Sequence, residues 1–185
     1  MFRSVFIALF VFVTAPLVFA EGWDPRNTAE TSGESKLARR SQASLAGFLE
    51  RDPSLQVFFD EAYGYVIFPR IGKGGLVVGY ARGKGLIYRD GVAQGKAFMN
   101  QYSVGAQLGG RSYAELIFFR DQLEYDSFVD GNFSFRADAA AVISDDGAGT
   151  STEYSNGIAV FTHERGGAMV DASLGGQRFR VEPFD

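Results

Sequence analysis

Glycine falls through the middle of this chain at intervals that leave room only for short extended segments and turns. Twelve of the 23 glycines lie between Gly64 and Gly110. Between them stand runs rich in β-branched and aromatic residues: Gly64 to Phe68, stopped by Pro69, then Leu76 to Arg82 and Leu86 to Arg89. Asp90-Gly91 tolerates the positive φ angles of a type I′ turn and predicts a hairpin there. Val104, Ala106 and Leu108 alternate with polar or small residues, and Tyr113 to Phe119 is an apolar strand interrupted only by Glu115. Asp121 caps a short helix through Leu123, Phe128 and Val129 that Gly131 closes. Phe133, Phe135, Ala137, Ala139 and Ala141 set out one face of a further strand. After a polar loop at 145–155, the runs Gly157–Phe161, Gly167–Leu174 and Arg178–Glu182 complete the set. A parallel sheet needs crossover helices, and there is room for one. The expectation is an α+β fold with an antiparallel, barrel- or sandwich-like sheet of short glycine-rich strands.

The front of the chain reads differently. Arg3, the apolar run Val5 to Val13, the Ala15-Pro16 break and the small residues Val18 and Ala20 before Glu21 read as a secretory signal peptide over residues 1–20, the alternative being an uncleaved membrane anchor. Residues 21–35 carry little to bury and read as a flexible lead. From Glu34 to Glu50, Leu37, Ser41, Leu45 and Phe48 recur at helical spacing. Asp52 as N-cap and Pro53 at the first helical position then open a second short helix with Leu55, Phe58 and Phe59 inward. With 185 residues in all, the remainder fits one domain over 36–185.

Composition removes most chemistry. With no cysteine there are no disulfides, thiolate metal sites, thiol nucleophile or acylated lipoprotein cysteine. A single histidine, His163, excludes a metal site built mainly of imidazoles. The net charge of −4 argues against an extended nucleic-acid-binding face. Gly79 to Gly85 lacks the spacing and the hydroxyl of a phosphate-binding P-loop. His163-Glu164-Arg165 lacks the second histidine of a zinc motif and reads as a solvated hairpin turn. Asp145-Asp146-Gly147 lacks the alternating oxygens of a calcium loop, and Ser103 and Ser112 stand in no nucleophile elbow. The chain is therefore expected to be non-enzymatic, with no catalytic residue, cofactor or metal.

Two features keep a possible chemistry. Lys73 and Lys84 are each flanked by glycine, on expected turns beside apolar strands, where an ammonium group stands near open backbone amides and can attract a lipid phosphate. Lys36, Arg39 and Arg40 sit off the apolar stripe of the leading helix. That helix either lies on an anionic bilayer or, as amphipathic helices usually do, covers the sheet.

Four blocks occur in order: AYGYVIFPRIGKGGLVVGYARGKGLIY, SVGAQLGG around Gln107, LIFFRD, and FVDGNFSFRADAAAV. Over about residues 36–185 the chain thereby resembles the SYLF domain family, also described as lipid-binding or actin-regulating. It departs at Ala137, where the family often has glycine, and shows no additional module such as the SH3 domains of eukaryotic relatives. The resemblance implies a non-enzymatic domain that binds phospholipid, phosphoinositides especially in eukaryotic members, and in some members actin. An exported chain does not meet actin, so the transferable partner is an anionic phospholipid or membrane surface. Lys73 and Lys84 lie in matching blocks; Lys36, Arg39 and Arg40 match by position in the leading helix. The expectation is a phospholipid-binding domain in the periplasm or secreted, peripheral at the cell envelope. The alternative is an envelope scaffold that holds a protein partner through an exposed strand edge or apolar patch.

Overall fold

The computed structural model describes residues 25–131, 134–136, 141–143 and 154–184. The leader expected at 1–20, Trp23, Phe133, Ala137, Ala139 and Asp145-Asp146-Gly147 lie outside the described residues. Helix α1 spans Pro25–Arg51, taking in residues expected to form a flexible lead. Pro25 presets the first helical φ, and Ala29, Glu30, Glu34 and Lys36 are strong enough helix formers to carry Gly33. Leu37, Ser41, Ser44 and Phe48 are buried, and their spacing of four, three and four residues keeps one face inward. Asp52 ends α1 and caps the next turn, its carboxylate accepting from the Ser54 amide at 3.0 Å. That 3-10 turn, Pro53–Leu55, leads into α2, Gln56–Glu61.

The sheet is built by nesting. Strands β1 (Gly64–Gly75) and β2 (Val78–Arg89) form a hairpin with its tip at Leu76-Val77. Strand β3 (Val92–Phe119) pairs with β2 from Val92 to Val104 and with β1 from Gly109 to Phe119. It therefore passes round the hairpin tip and returns along the other flank. Gly105 and Gly109, with φ of 148° and 112°, take the bend in a region that other residues rarely adopt. The Gly105 amide donates to the Val77 carbonyl at 3.0 Å and fastens the bend to the tip. After α3 (Gln122–Val129), capped by Asp121, come the short β4 (Ser134–Arg136) and β5 (Ala141–Ile143). Strand β6 (Ile158–Pro183) then runs along the whole length of β3 on its outer side. Strand β4 pairs with the end of β6, and β5 with its beginning, the one parallel ladder among the described strands. The Asp90-Gly91 turn is as expected, with φ of 51° and 74°. The segments expected as separate strands are continuous, because each glycine sits within a ladder rather than ending one. His163 is likewise a ladder residue of β6, opposite Ala114, with its ring edge-on to Phe48 at 6.0 Å; it is not on a turn.

The sheet is strongly curled. Glu115 on the second half of β3 and Gln177 at the end of β6 are four strand positions apart, about 19 Å on a flat sheet. Yet the Gln177 amide donates to the Glu115 carboxylate at 2.8 Å. Among the described residues no ladder joins the two edges, so the curl is not closed. Inside it lie Val66, Phe68, Ile87, Met99, Ile117 and Phe179, with Phe128 of α3 plugging one end. On the outer face Ile67, Leu86, Leu116, Phe118 and Phe161 pack under Leu37, Phe48, Leu55 and Phe58. Tyr113 to Phe119 reads as nearly unbroken apolar sequence because both of its faces are covered.

Pro69 does not end β1 as its type suggests. The ladder to β3 slips between Phe68 and Ile71, so Pro69 and Arg70 occupy a bulge. One extra residue reverses the alternation beyond it. Ile71 and Lys73 turn inward, while Arg70 and Gly72 face out.

Candidate functional site: a cationic groove on the outer face

Along β2 the inward positions are Gly79, Ala81, Gly83, Gly85 and Ile87; the outward ones are Tyr80, Arg82, Lys84, Leu86 and Tyr88. Nearer the far end, Leu86 and Tyr88 are covered by the helices. Nearer the tip, Tyr80, Arg82 and Lys84 face α1 across a gap. The bulge of β1 adds Arg70 beside them, and Lys36 and Arg40, four residues apart on α1, complete the wall. The result is a groove of about 430 Å³ lined by Lys36, Leu37, Arg40, Pro69, Arg70, Gly72, Tyr80, Arg82 and Lys84.

The described lining holds five cationic side chains and no carboxylate. None of the five is held in a salt bridge among the described residues. The Lys84 ammonium sits 5.1 Å from the Phe98 ring centre, and Arg180 shares that ring at 4.5 Å. Positive charge extends past the groove: burial first, and then Arg70, pull the Arg165 guanidinium below its ordinary range. Arg165 also donates to Ser44 of α1 at 3.0 Å, tying the helix to β6. Chemically such a groove holds an anion with several oxygens. Arginine forks bind it in pairs of hydrogen bonds and lysines supply point charge.

The structure thus brings together three of the five basic residues singled out in the sequence: Lys36, Arg40 and Lys84. Arg39 is exposed on α1 but outside the groove lining. Lys73 is on the other side of the sheet and on no turn; it is a β1 residue only 8% exposed, facing the interior with Gln101, Ser103, Glu115 and Gln177. Its burial results from the bulge. Within that interior polar band the Glu115 carboxyl is pushed up to about 7 by burial, against which the Gln177 hydrogen bond pulls only partly. Two groove arginines were not among the residues expected from the sequence. Arg82 was legible from its two-residue spacing to Tyr80 and Lys84, whereas Arg70 became an outward residue only through the bulge.

Two more features border this face. On the other flank of α1 an apolar groove of about 500 Å³ is lined by Leu37, Ala38, Leu86, Tyr88 and Phe184 among others. At the hairpin tip Leu76, Val77 and Val78 are exposed, as are Val104, Tyr102 and Leu108 of β3. Among the described residues no helix is long and apolar enough to cross a membrane, and no cluster of histidine and acidic residues could hold a metal ion.

No family model matches the chain. It is similar to Beta cell expansion factor A of Aeromonas veronii, with 25% identity over 157 residues, a match covering 83% of this chain and 59% of that protein. The chain thus spans about three fifths of that relative's length.

Proposed function

We propose that the protein is a SYLF-like, non-enzymatic phospholipid-binding domain, exported and acting peripherally at the cell envelope, with anionic headgroups drawn to the groove between α1 and the β1–β2 hairpin. The observation that carries this reading is the convergence of Lys36, Arg40, Arg70, Arg82 and Lys84 on one groove with no carboxylate in its described lining. In a chain of net charge −4 such crowding is a local feature and not a consequence of overall composition. Five neighbouring cations repel one another, and an anion among them reverses the sign of that interaction. Each is worth about 1 kcal/mol near an anionic bilayer, so the set suffices for reversible, salt-sensitive docking without a spanning segment. The leader read at residues 1–20 supplies export, and the resemblance over 36–185 supplies the ligand class.

Vesicle flotation tests the reading. The protein is expected to rise with phosphatidylglycerol vesicles at low salt, to remain below with phosphatidylcholine, and to be released as salt is raised. Arg82→Ala with Lys84→Ala is expected to weaken binding roughly tenfold or more. No co-migration at low salt removes the proposal. Capture of one envelope protein with indifference to lipid would favour a scaffold instead.

A further inference from the structure

We infer that the headgroup held best at the cationic groove is a phosphorylated saccharide, and that the outer face of β2, β3 and β6 beside the groove contacts its sugar rings. This rests on the phospholipid reading above and deepens it by naming the headgroup class and a second set of contacts. The sheet wall of the groove continues sideways as ladder rows. Lys84 is paired with Phe98, and Phe98 with Arg180; Arg82 is paired with Asn100, and Asn100 with Arg178. These side chains face outward, because the intervening Met99 and Phe179 belong to the inner core. Tyr80 and Tyr102 form the next row toward the hairpin tip. Arg178 is exposed and in no salt bridge among the described residues. Arg180 shares the Phe98 ring with Lys84 and is also bonded to Glu182. Positive charge thus runs from the groove on across β3 to β6.

Rows two residues apart lie about 7 Å from each other along the strands, and β2 is about 10 Å from β6. The field therefore covers about 14 by 10 Å beside the groove, several times the span of one phosphate. Its cations are interleaved with groups that a phosphate does not need. Tyr102 is 65% and Tyr80 39% exposed, with ring centres 5.1 Å apart. The Tyr80 hydroxyl donates to the Asn100 side-chain carbonyl at 2.8 Å, so the asparagine keeps an amide group with which to donate. Aromatic faces carry partial negative charge and attract the polarised C–H faces of sugar rings, while neutral donors and acceptors beside them match sugar hydroxyls. Arg82, Lys84 and Arg178 then take the phosphates. An acyl chain or an apolar protein surface would leave those cations unmatched. A long polyanion such as a nucleic-acid strand would run off this field onto a chain whose net charge is −4, whereas a compact headgroup stays within it.

The test uses phosphatidylcholine vesicles carrying either phosphatidylglycerol or a lipopolysaccharide truncated to its phosphorylated inner sugars, matched in total negative charge. The lipopolysaccharide vesicles are expected to bind about tenfold more tightly at the same salt. The deacylated phosphorylated oligosaccharide is expected to compete, and inorganic phosphate at the same phosphate concentration is not. Tyr102→Ser with Arg178→Gln is expected to remove the preference while leaving phosphatidylglycerol binding within about threefold and melting unchanged, because both side chains are exposed. Arg82→Ala with Lys84→Ala weakens binding to both vesicles. Equal binding of the charge-matched vesicles, or a preference that survives Tyr102→Ser with Arg178→Gln, overturns the inference and leaves groove binding of anionic headgroups standing. Stronger competition by a short oligothymidylate than by the oligosaccharide assigns the face to nucleic acid and also overturns it. No flotation with either vesicle at low salt overturns both readings.

Discussion

Two segments of nearly the same sequence meet opposite fates in this molecule. Gly72-Lys73-Gly74 and Gly83-Lys84-Gly85 lie on adjacent strands, with Ile71 opposite Gly83 and Lys73 opposite Ala81. Lys84 stands in the outer groove with four other cations, while Lys73 is buried on the inner face. Nothing in either tripeptide distinguishes them. What does is the bulge at Pro69-Arg70, upstream of Lys73, which reverses the alternation for the rest of β1. The flanking glycines differ in the same sense. A methyl group at Gly85 would run into the Ile67 carbonyl and meet the Phe68 ring at 2.8 Å, whereas one at Gly72 meets nothing within 4 Å. A Gly-Lys-Gly segment in a strand therefore states no face by itself.

The two lysines separate the inner and outer environments most forcefully. Lys73→Glu reverses a charge that is only 8% exposed and is expected to cost about 3–5 kcal/mol in urea unfolding. Lys84→Glu, on the outer face, should change stability by under about 0.5 kcal/mol while weakening vesicle binding roughly tenfold or more. Equal stability losses would mean that the two lysines share an environment. Next in size are the glycines: Gly85→Ala should lower stability by about 2–3 kcal/mol and Gly72→Ala by about 0.5 kcal/mol or less, measured by thermal melting.

The interior is further separable from the groove by pH. The Glu115 carboxyl, ordinarily near 4.5, is pushed up to about 7 in the fold, so between those values the folded protein holds a proton that the unfolded chain has released. Stability therefore falls as pH rises from about 4.5 to 7, by about 1–3 kcal/mol in all. Glu115→Gln should remove that slope, leaving the variant the more stable at pH 8 and little changed at pH 4.5. A slope that survives in the variant would place its source elsewhere. The smallest expected effect is at Arg39, exposed but outside the groove: Arg39→Ala should leave vesicle affinity within about twofold.

The amino-acid order by itself determined the elements. The caps at Asp52 and Asp121, the Asp90-Gly91 turn and the helices ahead of the sheet arise from signals spanning a few residues, and local backbone preference is enough to set them, whereas the strands expected to be short become continuous only through their ladders. Helix α1 begins earlier than its apolar stripe because helix formers such as Ala29, Glu30 and Glu34 extend it. Tertiary structure alone decided which cations face one another. Arg70 meets Lys36 only after β1 has bulged and α1 has been laid over the hairpin, and Lys73 leaves the surface through the same bulge. Strand alternation has a period of two, so a single inserted residue exchanges interior for exterior, and whether Pro69 marks the end of a strand or a bulge within it is settled by the pairing with β3.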